Sequence, residues 1–139
     1  MKLSIIVPVF NEQNTILKII KKINNVDFIE KEIIIVDDGS TDKTKEFLKT
    51  LSKEDYNIFY HEKNLGKGAA IQTAKKFITG DIVIIQDADL EYDPKDYKSL
   101  VRPILNGQAE VVYGSRVLNK NRYSLVNFSS IYRIFFNHM

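Results

Sequence analysis

The chain is predicted to be an α/β protein built on a mainly parallel sheet with helices on both faces, and three observations predict it. Its apolar β-rich segments are nearly continuous runs of Ile and Val, which implies strands buried on both faces. These runs alternate strictly with segments of helical periodicity, and the connections between them are short. Three polar clusters, Pro8 to Glu12, Asp37 to Asp42 and Asp87 to Asp93, each follow a predicted strand directly. In a doubly wound sheet that is where ligands bind, beyond the carboxyl ends of the strands.

The elements follow in order. Leu3 to Val9 reads as the first strand, with Glu32 to Val36, Asn57 to Tyr60, Asp81 to Ile85 and Glu110 to Tyr113 as the next four. Helical patterns occupy about 12 to 26, 42 to 52, 68 to 79 and 95 to 106, with apolar residues at mixed three and four spacing, as in Ile16, Ile19, Ile20 and Ile23. A final amphipathic pattern spans 124 to 137, with Leu125, Phe128, Ile131, Tyr132 and Phe135 on one side. No cap or turn signal follows it before Met139, so the chain reads as cut within a longer protein.

Composition narrows the classes. The chain has 139 residues, 44% of them hydrophobic and 27% charged, which is the size and make-up of one globular domain. No stretch approaches the roughly 20 apolar residues of a membrane helix, and no secretory signal is expected from the start of the chain. There is no cysteine, so neither a disulfide framework nor a thiolate metal site is available. The net charge of +2 is unevenly placed. From Arg116 onward come Arg116, Lys120, Arg122 and Arg133, with no Asp or Glu and with five interleaved aromatic residues. Residues 116–139 therefore read either as a solvated basic face beside core aromatics or as a surface facing phosphate or a membrane. No nucleic-acid partner is expected.

The carboxylate cluster Gln86-Asp87-Ala88-Asp89-Leu90-Glu91-Tyr92-Asp93-Pro94 carries the most chemistry. Four acids within seven residues repel one another unless a cation or proton intervenes. Hard oxygen donors of this kind suit Mg2+ or Mn2+, which in turn bridge the oxygens of a diphosphate. Asp87 and Asp89 are the candidate ligands, and Asp93 reads as a helix cap before Pro94.

In Val36-Asp37-Asp38-Gly39-Ser40-Thr41-Asp42, Asp37 and Asp38 can accept from nucleobase N–H groups and ribose hydroxyls. Gly39 permits a tight turn, and Ser40, Thr41 and Asp42 read as structural residues of a helix start. The segment Pro8-Val9-Phe10-Asn11-Glu12 can wall a base and ribose, although Asn11 could equally be an N-cap. Asn64-Leu65-Gly66-Lys67-Gly68 opens a helix, where backbone N–H groups and Lys67 could meet phosphate; a tight turn with close helix packing is the competing reading. Its spacing is neither that of a Walker loop nor that of a dinucleotide fingerprint. Gly114-Ser115-Arg116 places a guanidinium after the fifth predicted strand. His61 and His138 have no partner at metal-ligand spacing and read as incidental.

Taken together and in this order, the five motifs resemble glycosyltransferase family 2, and most of all the dolichyl-phosphate and polyprenyl-phosphate sugar transferases. The likeness runs from the start of the chain to about residue 118. It implies a GT-A fold and transfer, with inversion, of a sugar from a nucleotide-diphosphate sugar, UDP- or GDP-linked. By the same match, Pro8, Val9, Phe10, Asn11, Glu12, Asp37 and Asp38 would hold the nucleoside, with Gly66, Lys67 and Ala88 also at the donor. Asp87 and Asp89 would hold the metal and diphosphate, sometimes joined by Glu91, and Arg116 would contact phosphate. The acceptor implied is a polyprenyl phosphate; a saccharide hydroxyl, or donor binding without turnover, are the alternatives. Residues 1–118 then form the donor domain and 119–139 begin an interfacial helix, with the protein peripheral on the cytoplasmic face of a membrane. A receiver domain or aspartate phosphatase is disfavoured, because the key aspartates of those proteins follow the first strand, where this chain has Pro8 to Glu12.

Overall fold

The structure, a computed structural model, describes residues 1–114 and the backbone of 134–136. The chain runs β1 (Lys2–Val9), α1 (Ile16–Asn24), β2 (Glu30–Asp37), α2 (Thr44–Leu48), β3 (Asn57–Tyr60), α3 (Lys67–Lys75) and β4 (Ile82–Ile85). A 3-10 turn at Pro94–Asp96 then leads into α4 (Tyr97–Leu105), and Ile134–Phe136 forms β5. The five strands order as β3-β2-β1-β4-β5. Pairs β1–β2, β1–β4 and β2–β3 are parallel, whereas β5 lies antiparallel to β4.

Alternation along the strands sorts the core into two layers. Ile5, Val7, Ile33, Ile35, Ile82 and Ile84 face α1 and α4, where they meet Ile16, Ile19, Ile23, Tyr97 and Val101. Ile6, Ile34, Val36 and Val83 face the other way, onto Ala70 and Ala74 of α3. Small alanines let α3 lie close to the sheet, and both faces of the central strands are thereby dry, as their unbroken Ile and Val runs require. The first four strands and the helices between them fall where the sequence expectation places them, with ends shifted by a few residues.

Three elements differ from it more widely. The expected strand at 110–113 is reduced to a single bridge at Val112; Glu110, Val111 and Tyr113 are exposed, and the free edge of β4 is taken by β5. The expected helix over 124–137 gives way to strand at 134–136, where main-chain pairing with β4 satisfies the backbone; its remaining residues lie outside those described. Helix α2 is only five residues long, because the Thr50 hydroxyl donates to the Phe47 carbonyl at 2.6 Å and the Leu51 N–H closes onto Leu48 at 3.1 Å.

The amino-terminal edge of the sheet is tied by one carboxylate. Glu32 accepts from the hydroxyls of Ser4 and Thr79, both at 2.5 Å, from the N–H groups of Thr79 at 2.7 Å and Gly80 at 3.2 Å, and pairs with the Lys2 ammonium at 3.1 Å. Burial alone would raise this carboxyl, but the bonds from Ser4, Thr79 and Lys2 outweigh it and lower the pKa from 4.5 to about 2. A depressed folded-state pKa means stability that is present above about 4.5 and lost as pH falls towards about 2. Glu32→Gln is expected to cost about 1–3 kcal/mol in urea unfolding at neutral pH. The native protein should also lose stability more steeply than the variant as pH falls through that window, and equal slopes would count against this account.

Candidate functional site

Because β1, β2 and β4 run parallel, the loops after them emerge at one edge of the sheet. The chain leaves β1 towards β2 on one side, and β4 joins on the other, so the crevice between β1 and β4 is the topological switch point. A pocket of about 350 Å³ opens there. Pro8, Val9, Phe10 and Glu12 line it from the β1 loop, Asp38 from β2, Asn64, Gly66 and Lys67 from the start of α3, and Asp87, Ala88 and Asp89 from β4.

The carboxylate pair is presented by its own spacing. Ala88 is 4% exposed and packs into the core, and in the turn after β4 it lines the pocket together with the flanking Asp87 and Asp89. Leu90 then takes a left-handed conformation (φ 65°), strain that turns the chain and lets the Glu91 N–H donate to Asp89 Oδ1 at 3.0 Å. Gln86, fully buried, braces the loop from beneath. Its amide donates to the carbonyls of Asp87 (2.9 Å) and Tyr92 (3.1 Å), and its Oε1 accepts from the Tyr97 hydroxyl at 2.7 Å. Asp93 is the expected cap, accepting from the Lys95 N–H at 3.1 Å, and also pairs with Lys22 at 2.8 Å. The Lys22 bond is the chief reason that its carboxyl is lowered.

Across the pocket, Asp38 organises the glycine-rich turn. Its carboxylate accepts from the N–H groups of Leu65 (2.9 Å) and Gly66 (2.8 Å) and bonds His61 Nδ1 at 2.7 Å, while His61 Nε2 meets the Thr73 hydroxyl of α3 at 2.8 Å. Burial would raise the Asp38 carboxyl, but these N–H and imidazole bonds lower it. Two glycines make the geometry possible. Gly39 sits at φ 74°, and a Cβ there would stand 2.4 Å from the Lys63 carbonyl carbon. Gly66 adopts φ 95° and precedes α3, whose first turn has no side-chain cap; its own N–H is held by Asp38 Oδ2 (2.8 Å) and Asn64 Oδ1 (3.0 Å), and it lines the pocket with Lys67. Close helix packing is not the reason for Gly66, since nothing lies within 4 Å of a Cβ built there.

Other expected site residues do different work. Asn11 is a latch between loops: at φ 52°, its Oδ1 accepts from the N–H groups of Thr41 (2.8 Å) and Asp42 (3.3 Å), and its own N–H donates to Ser40 Oγ (2.9 Å). The N-cap of α1 is Thr15 instead. Ser40, Thr41 and Asp42 are structural as expected. Asp42 accepts from the N–H groups of Thr44 (2.9 Å) and Gln13 (3.2 Å), and its carboxyl is lowered because the Thr44 and Gln13 bonds outweigh burial. Asp37 does not line the pocket; it is 1% exposed, its Oδ1 accepts from the Ser40 N–H at 3.3 Å, and its Oδ2 has no partner among the described residues. Neither Asn11 nor Glu91 lines the pocket, and Arg116 lies outside the described residues.

The sequence reading passed over His61 and the side chain of Gln86. Both stand at the carboxyl end of a strand, after β3 and β4 respectively, so the rule that singled out the acidic clusters also pointed to them.

Comparison with known proteins decides the family: the description "Glycosyl transferase family 2" matches residues 4–137. The chain belongs to glycosyl transferase family 2. A dolichol-phosphate mannosyltransferase of Pyrococcus furiosus is 33% identical over 118 residues, an alignment covering 84% of this chain and 33% of that protein. A dolichyl-phosphate beta-glucosyltransferase of Trichomonas vaginalis is 38% identical, covering 93% and 45%. The glucosyl-3-phosphoglycerate synthase of Mycobacterium tuberculosis, solved with Mn2+, UDP and glucosyl-3-phosphoglycerate, superposes with a TM-score of 0.62 at 30% identity, over 75% of this chain and 39% of that one. The fold is GT-A, and this family 2 chain spans less than half the length of these relatives.

Gln86→Leu removes three hydrogen bonds beneath the carboxylate loop. The expected cost is about 2–3 kcal/mol of unfolding free energy, read by denaturant titration. A loss below about 0.5 kcal/mol, the range of neutral surface changes, would show that the loop does not depend on this brace.

Proposed function

We propose that this chain is the donor-binding part of a transferase that moves a sugar, with inversion, from a UDP- or GDP-linked nucleotide-diphosphate sugar to a polyprenyl phosphate. One observation carries the donor half of this reading: Asp87 and Asp89 share a pocket with Gly66, Lys67 and the uncapped start of α3. A diphosphate needs both kinds of group, carboxylates to hold its cation and N–H donors for its oxygens.

The donor set fits Mg2+ or Mn2+. Such ions are commonly bound through one or two carboxylates, with phosphate oxygens and water completing the shell. Asp87 and Asp89 supply two carboxylates, and among the described residues no cluster of three or more His, Cys, Asp or Glu offers an all-protein cage. A metal held there would neutralise charge growing on the departing nucleoside diphosphate. The chain's own residues do the rest. Phe10, 41% exposed at the pocket wall, offers a face to the base, with Pro8, Val9 and Glu12 beside it and Asp38 behind. Asn11 and Asp37 act by holding the loops that carry these residues.

The acceptor follows from a chemical argument and from the relatives. A polyprenyl phosphate is already anionic, so it needs positive charge to place it rather than a base to deprotonate it. Arg116 and the basic, aromatic residues 116–139 have that character. The names of the Pyrococcus and Trichomonas relatives point to the same acceptor class. Among the described residues no helix is long and apolar enough to cross a membrane; the contact proposed is a peripheral one, on the cytoplasmic face, and it rests on the basic, aromatic character of residues 116–139.

Calorimetry tests the donor half. UDP or GDP should bind in the presence of Mn2+, and Asp89→Ala should weaken that binding by about tenfold or more, the worth of one charged contact. Binding that needs no metal, or is indifferent to the substitution, would contradict it. The acceptor half predicts binding to anionic vesicles that weakens as salt rises from 0.05 to about 0.5 M, as screening requires; salt-independent binding, or none, would remove it.

A further inference from the structure

The Lys67 ammonium forms an ion pair with Asp87 Oδ1 across the pocket. It thus occupies one of the two carboxylates that the donor reading gives to the metal. The lining charges make this pairing informative. Glu12, Asp38, Asp87 and Asp89 are acidic, and Lys67 is the one cation among the described lining residues. A diphosphate approaching this pocket without a metal meets an excess of negative charge and a lysine already engaged.

We propose that Lys67 and the divalent cation exchange on Asp87: the metal displaces the ammonium from the carboxylate, and the freed ammonium becomes a contact for the donor diphosphate. This rests on the donor reading above and deepens it. The exchange is possible because the two ends of Lys67 are differently held. Its backbone is fixed as the first residue of α3, directly after Gly66, whose N–H is bound to Asp38 Oδ2. Its side chain is 56% exposed, on a flexible four-carbon stem, and can reorient within the pocket mouth. Once a divalent ion sits at Asp87 and Asp89, like charges repel the ammonium, and the diphosphate is the partner that remains. Lys67 is therefore a binding residue that couples two ligands. Metal alone must break an ion pair, nucleotide alone meets repulsion, and each relieves the obstacle to the other, with a coupling that must be reciprocal.

The experiment uses the whole chain and two titrations, Mn2+ alone and UDP in saturating Mn2+, for the native protein, Lys67→Met and Lys67→Arg. Lys67→Met is expected to tighten Mn2+ alone by about two- to fivefold, the worth of an exposed ion pair. It should weaken UDP by about tenfold or more, the worth of a charged hydrogen bond. Lys67→Arg should retain most of both native values. The opposite signs are diagnostic, since a merely structural lysine would move both affinities the same way or neither. If the native protein binds Mn2+ and UDP but Lys67→Met leaves Mn2+ affinity unchanged or weakens it, the exchange is refuted while the donor site stands. If the native protein binds neither, the donor reading fails and the exchange with it. Unchanged thermal unfolding of Lys67→Met, expected for an exposed side chain, shows that the shifts are not loss of fold.

Discussion

Parallel strands deliver their carboxyl ends to one edge, and in this chain those ends carry Asp37, Asp38, Asp87 and Asp89. Like charges gathered in this way repel one another, and the local structure answers for each of them. Asp38 is spent on two backbone N–H groups and an imidazole, which bind the glycine-rich turn to the end of β2. Asp37 lies wholly beneath the surface beside the Ser40 N–H. Asp87 takes the Lys67 ammonium, and Asp89 takes a single N–H from its own turn. The result is a division of labour. The pair at the end of β2 holds the wall together, and the pair after β4 lines the pocket.

That division depends on support from regions that touch no ligand. Gln86 and Tyr97 hold the carboxylate loop from the core side, and the Asn11 latch fixes the β1 loop against the β2 loop through backbone N–H groups. At the opposite edge Glu32 gathers β1, β2 and the turn before β4. Each device is a carboxylate or amide with several hydrogen-bond partners at once, which offset its desolvation and leave a single geometry. A site built from four separate segments needs this, because small displacements of any one would move apart the residues that line one pocket.

The parallel sheet with helices on both faces was legible because burial on both faces leaves its mark as unbroken Ile and Val runs, and because parallel connections demand helices between them. The site edge was legible for the same reason, since polar clusters after such runs have only one place to go. Roles within the clusters were less so. Sequence cannot tell a carboxylate facing the pocket from one turned inward, and Asp37 with Asp38 show that neighbours of one type can divide differently. Asn11 was readable as a cap because caps and latches use the same acceptor chemistry; only the tertiary approach of the β2 loop decides between them. The expected strand at 110–113 and the end of the expected helix, at 134–136, differ where amphipathic patterning is shared by both structures and where the partner of β4 is chosen by long-range pairing; the rest of that helix lies outside the described residues.

The proposed function places a divalent ion on Asp87 and Asp89, beside the start of α3. Paramagnetic broadening of backbone amide signals by substoichiometric Mn2+, with UDP present, tests it most directly. Broadening is expected to centre on residues 87–91, to extend to 64–68 and 8–12, and to be lost in Asp89→Ala. Broadening centred on another acidic region, or none at all, would contradict it.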